Sequence, residues 1–158
     1  MKSVLCTALL ATALLLLGCN KSEENNIGPL SEGDYLIFGT FYGECIGNCT
    51  TVFKLTSTQL FADDLDQGLP EDLPFQSDPL EDAKYQSAEM LLDDFPSDLL
   101  GSDKRVYGCP DCGDQGGFYF QLKRGEQVDI WRVDTWDEEQ SGEIVAYKEA
   151  VREVMDGL

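Results

Sequence analysis

The chain has 158 residues, with 11 Lys and Arg against 30 Asp and Glu, a formal charge of −19, and no histidine. A surface so acidic is repelled by nucleic acid and by anionic lipid and attracts cationic partners at a distance, although its simplest consequence is solubility. The missing histidine removes every histidine-based catalytic triad and every His-ligated metal site.

At the N-terminus a single positive charge, Lys2, precedes an uncharged apolar run over residues 4–17. This is a secretory signal profile. As a helix the run would be roughly 21 Å long, short of the about twenty residues that a bilayer core requires, so cleavage is expected rather than a permanent span. The run ends in Leu16-Leu17-Gly18-Cys19, which resembles the lipobox of bacterial lipoproteins. The resemblance implies that the leader 1–18 is removed, that Cys19 carries a diacylglycerol (and a further acyl chain, commonly palmitate, on its amine), and that two or three chains anchor the protein stably. Losing Lys2 with the leader would leave ten basic and thirty acidic residues, a charge of −20.

Residues 19–33 are polar, with Glu23, Glu24, Asn25, Asn26, Gly28 and Pro29, and read as a flexible tether without core-forming residues. Asn20-Lys21-Ser22-Glu23-Glu24 resembles the acidic export signal that follows the lipidated cysteine in surface lipoproteins of the Bacteroidota. The lack of Asp directly after Cys19 is similar to lipoproteins sorted to the outer membrane.

Residues 34–158 suffice for one globular domain. Residues 34–43 are apolar on both alternating faces, as in a strand buried in the middle of a sheet, and 50–57 continue it as a hairpin partner. A short third strand is expected at 59–62, followed by an acidic, proline-broken exposed loop over 63–78. Asp78-Pro79-Leu80-Glu81 then reads as a helix start, with Asp78 at the N-cap and Pro79 at the first position. The helix is expected to run to about Asp94, with Leu80, Tyr85, Ala88, Leu91, Leu92 and Phe95 on the core. Alternation over 118–123 and 128–133 around Arg124-Gly125 marks the clearest hairpin. A closing helix over 142–155 would turn Val145, Val151, Val154 and Met155 inward. The predicted fold class is α+β: a small antiparallel sheet of about 4–5 strands with two main helices on one face.

Four cysteines stand apart from the leader and the anchor, in Cys45-Ile46-Gly47-Asn48-Cys49 and Cys109-Pro110-Asp111-Cys112. In an oxidising compartment they are expected to form structural disulfides, with three possible connectivities. The spacing also matches a four-thiolate structural zinc site. The second motif resembles the C-P-x-C of glutaredoxin-like proteins, although Gly113 to Gly117 follow it in place of a helix. Gly113, Asp114, Gln115, Gly116 and Gly117 could form a ligand loop, because glycine lets backbone amides approach a partner; a turn entering the next strand is the plainer reading. Asp63, Asp64 and Asp66 lack the ordered positions of a calcium loop. Asp134, Asp137, Glu138 and Glu139 could pair as acid and base only if the fold sets their separation. Trp131 and Trp136 read as core and rim aromatics.

The two cysteine runs, with Trp131-Arg132-Val133-Asp134-Thr135, look similar to small uncharacterised lipoproteins of the Bacteroidota, a resemblance that implies no activity. The expectation is therefore a non-enzymatic outer-membrane lipoprotein, facing the periplasm or the cell surface. It would have no cofactor, no resident metal and no nucleic-acid ligand, and would act as a binding or envelope-associated module with a cationic protein as candidate partner. The alternative is a thiol-active or metal-binding protein that uses Cys45, Cys49, Cys109 and Cys112.

Overall fold

A computed structural model describes residues 27–43, 46–47, 49–65 and 68–158. The leader, Cys19, the start of the tether, Cys45 and Asp66 lie outside the described residues.

Ten short elements follow one another: β1 (Tyr35–Phe41), β2 (Thr51–Thr56), β3 (Leu60–Ala62), α1 (Asp82–Glu89) running into a 3-10 turn (Met90–Leu92), α2 (Ser97–Leu100), β4 (Val106–Tyr107), β5 (Gly117–Arg124), β6 (Gln127–Asp134) and α3 (Gly142–Asp156). The class is α+β. The six strands form one sheet in the order β3-β2-β1-β5-β6-β4, so β1 is central, as its two apolar faces require. The sheet is larger than the 4–5 strands expected, and it is mixed rather than antiparallel, because β4 pairs parallel with β6. At two residues, β4 is too short to leave a periodic trace, and α2 escapes notice for the same reason.

One face of the sheet packs under the helices. Leu36, Phe38, Leu55, Phe118, Phe120, Leu122, Trp131 and Val133 meet Ala88, Leu91, Leu92, Phe95, Ile144, Tyr147 and Val151. Each of the Leu, Ile, Val and Phe side chains, fully buried, stabilises by about 1.5–3 kcal/mol relative to exposure. On α3 the inward stripe is Ile144, Tyr147, Lys148 and Val151, an i, i+3, i+4, i+7 set rotated from the expected one. Val154 and Met155 are partly buried against the core, while Val145 lies at its flank. Ser141 caps this helix, its hydroxyl accepting from Ile144 N at 3.3 Å.

The other face carries a second cluster, Ile37, Phe41, Val52, Leu65 and Tyr119, with Leu69, Leu73 and Phe75 packed on it. The segment 63–78, expected as an exposed loop, is therefore half a cover: Asp64, Glu71, Asp72 and Asp78 face water, while Leu65, Leu69, Leu73 and Phe75 shield the sheet. The same segment explains the late start of α1. Gln76 N and Leu80 N donate to Ala62 O (3.0 Å) and Leu60 O (2.8 Å), which keeps the chain extended along the outer edge of β3. The expected N-cap at Asp78 is consequently not used, and the helix begins after Glu81. It is also shorter than expected, ending at Glu89 before the 3-10 turn.

Residues 27–33, polar enough to read as tether, belong to the folded body. Leu30 is buried in the main core, and Arg124 donates to the carbonyls of Ile27, Gly28 and Pro29. Buried Asp34 accepts from Gly125 N at 2.8 Å and Ser31 N at 3.2 Å. The chain thus enters beside the β5–β6 turn, at the end of the sheet where Tyr35 pairs with Thr56 and Lys123.

Candidate functional site

Register brings the chemically distinctive residues together at the opposite end of the sheet. Phe41 pairs with Gly117, Gly117 with Asp134, Thr40 with Thr51, and Tyr107 with Val133. The β1–β2, β4–β5 and β6–α3 connections therefore leave from one end, about 20 Å from the chain entry at 3.4 Å per residue along β1. Both cysteine motifs, the run from Gly113 to Gly117 and the acidic run after Asp134 lie on these three connections.

Asp134 organises the end. It is 4% exposed, and its carboxylate accepts from Cys109 N at 2.8 Å, Gln115 Nε2 at 3.1 Å and Trp136 N at 3.1 Å. Burial works to raise its pKa, but the bonds from Trp136, Cys109 and Gln115, with the nearby Lys148 charge, outweigh that and hold it below the ordinary value. Gly108 makes this approach possible. Its φ is 70°, and a Cβ there would sit 2.6 Å from Asp134 Cβ, so no other residue fits without displacement.

Asp111, with φ 65°, joins two of the connections: its carboxylate accepts from Gly116 N at 3.0 Å and from Gly43 N at 2.7 Å. Asp111 N donates back to Gly116 O at 2.9 Å. Gln115 completes the cap, donating to Cys109 O at 3.0 Å and accepting from Gly113 N at 2.7 Å. In the run singled out as a ligand loop, the amides of Gly113 and Gly116 thus already have intramolecular acceptors. Gly117 lies in β5, and Asp114, at φ 58°, remains exposed. A Cβ on Gly116 would meet Phe41 O and the Tyr42 ring at 2.6 Å, which locks the turn against the end of β1.

Cys109 and Cys112 are joined in a disulfide. Of the three ways to pair the four domain cysteines, only the one that pairs within each motif contains this bond. Cys49 is also half of a disulfide. In this state Cys109 and Cys112 have no thiolate to offer a metal, and among the described residues no group of three or more His, Cys, Asp or Glu is placed to hold one.

Lys148 was not singled out in the sequence, although a lysine within an apolar i, i+3, i+4, i+7 stripe is a legible signal. Its side chain is 0% exposed. Its ammonium donates to Asp134 O (2.9 Å), Thr135 O (3.2 Å), Trp136 O (3.2 Å) and Asp137 Oδ1 (2.7 Å). Gln140 Nε2 also donates to Asp134 O and Trp136 O. Trp136 is thereby clamped on both sides of its backbone, its N–H on Asp134 and its C=O on Lys148 and Gln140, while its side chain is 58% exposed. Trp131 is its opposite, buried under Phe95. Tyr42 and Ile46, on the β1–β2 connection, are exposed at the same end. Around Trp136 the carboxylates separate: Asp134 is interior, Asp137 meets Lys148, and Glu138 and Glu139 are solvent-facing.

No protein-family model matches the chain, and no curated protein matches it.

Proposed function

We propose that this chain is a non-enzymatic outer-membrane lipoprotein, anchored through Cys19, whose domain binds a cationic protein segment at the loop end of the sheet. The observation that carries the binding reading is Trp136: a large aromatic held out in water on a backbone fixed from both sides. Exposing such a side chain forfeits burial energy, and fixing its backbone removes in advance the entropy that binding would otherwise cost. Rigid, exposed aromatics of this kind are the usual anchors of protein interfaces. The exposed carboxylates of Asp114, Asp137, Glu138 and Glu139 select the partner's sign, because a lysine or arginine side chain can lie on the indole face with acidic groups around it. The anchor reading rests on the lipobox resemblance, and the chain enters the domain at the end away from this surface, which would leave the surface free to meet a partner.

The test is a titration of the purified protein with a lysine-rich peptide at physiological salt, followed by tryptophan emission. Trp131 is buried, so a change on binding reports Trp136. Trp136→Ala is expected to weaken binding about tenfold, the loss typical of an aromatic anchor. Equal affinities for the two proteins would show that attraction to the peptide is diffuse charge only, and would overturn the site.

A further inference from the structure

We infer that the Cys109–Cys112 disulfide is exchangeable, and that it is a site of thiol–disulfide exchange selective for partners with positive charge around the attacking thiol. The inference is independent of the Trp136 site, and either can fail alone.

The first ground is that the sulfurs do not hold the loop. Cys109 N is bound by Asp134 (2.8 Å), Cys109 O accepts from Cys112 N (3.2 Å) and Gln115 Nε2 (3.0 Å), and Asp111 is tied to Gly116 and Gly43. These bonds keep the two Cα atoms 5.5 Å apart, inside the range a disulfide spans, whether or not the bond is closed. The ring spans only three residues of sequence separation, where constraint of the unfolded chain contributes least. Both cysteines are exposed. An exposed bond that the fold does not need can open and close on a standing framework, which is the condition for reversible exchange.

The second ground is electrostatic. Asp111 lies between the cysteines, Asp114 follows them, and the Asp134 carboxylate bonds directly to Cys109 N. An attacking thiolate is negative, so an anionic carrier meets repulsion and a cationic one is drawn in. The reaction balances with a dithiol protein as reductant. Its thiolate attacks one sulfur of the bond, a mixed disulfide forms as the Cys109–Cys112 bond breaks, and the displaced sulfur leaves with the electron pair and takes a proton from water. The partner's second thiolate then cleaves the mixed disulfide, giving an oxidised partner and two thiols at Cys109 and Cys112. The reverse sequence reloads the site.

The test measures reduction of this bond in the full-length folded protein by cysteamine, 2-mercaptoethanol and glutathione, which are cationic, neutral and anionic. Alkylation and peptide mapping give the rates, compared per thiolate. Cysteamine is expected to exceed glutathione at least about fivefold at low salt, with the ratio falling towards one in 1 M salt as screening sets in. Amide exchange at Cys109 and Gly116 should stay protected after reduction. Asp114→Asn, which alters an exposed charge at a position where Asn tolerates positive φ, should narrow the ratio. Resistance of the bond under native conditions, equal rates for the three thiols, an unchanged ratio in Asp114→Asn, or loss of amide protection on reduction would each overturn the inference.

Discussion

Asp134→Asn separates a loop end held by one carboxylate from one held by its disulfide. In the native protein the carboxylate takes three hydrogen bonds, at 2.8, 3.1 and 3.1 Å. Asn can keep one acceptor oxygen, and its best orientation places that oxygen towards Trp136 N and Gln115 Nε2. Its amide then points at Cys109 N–H, donor against donor, at a position 4% exposed. Two charge-assisted bonds become neutral and the partly buried Cys109 N–H loses its acceptor, a cost of about 2–4 kcal/mol. For a domain of this size that lowers the melting temperature by roughly 8–15 °C. Urea denaturation followed by tryptophan emission measures it, with Glu138→Gln, a solvent-facing carboxylate, as the control expected to change little. A loss below about 1 kcal/mol in Asp134→Asn would show that the loop is held by something other than this network, and the clamp on Trp136 would lose its basis.

Lys148→Met should cost about 2–3 kcal/mol in the same assay, because three carbonyls lose a buried donor while Asp137, at 60% side-chain exposure, can turn to water; a neutral substitution would count against the clamp. Acid should erase the Asp134→Asn difference. A carboxylate held below its ordinary 3.8 contributes fully above that pH and loses its contribution as pH falls through its lower folded value. The stability gap between wild type and Asp134→Asn should therefore be constant near neutrality and shrink as pH falls below about 4; a gap that did not shrink at all as pH fell below that value would refute the assignment. In cells, Cys19→Ala should abolish incorporation of labelled fatty acid, and label retained in the variant would refute the lipid anchor.

The fold was legible where period and length were generous. The two-faced apolar run of β1 announced a central strand, the β5–β6 alternation around Arg124-Gly125 announced a hairpin, and the six apolar positions from Leu80 to Phe95 lie on the core as their spacing requires. What escaped was tertiary. Nothing local in 63–78 says that leucines scattered among aspartates will cover the second face of the sheet, and nothing in Asp78-Pro79 says that Leu80 N will be taken by β3. The site was half legible in the same way. The cysteine runs and glycines pointed to the right segments, but the roles of Asp111, Asp134 and Gly108 depend on register that pairs Gly117 with Asp134 and Phe41 with Gly117. Lys148 was the one residue whose oddity, a charge on an apolar stripe, was visible without the fold.

Photo-crosslinking in intact cells tests the binding surface most directly. A photoreactive residue replaces Glu138, exposed beside an intact Trp136, in one strain and Glu126, in the turn at the opposite end of the sheet, in another. The expected result is a discrete crosslinked species from position 138, competed by a lysine-rich peptide, with none from position 126. The same pattern from both positions, or no discrete species from 138, would contradict a partner held at the loop end.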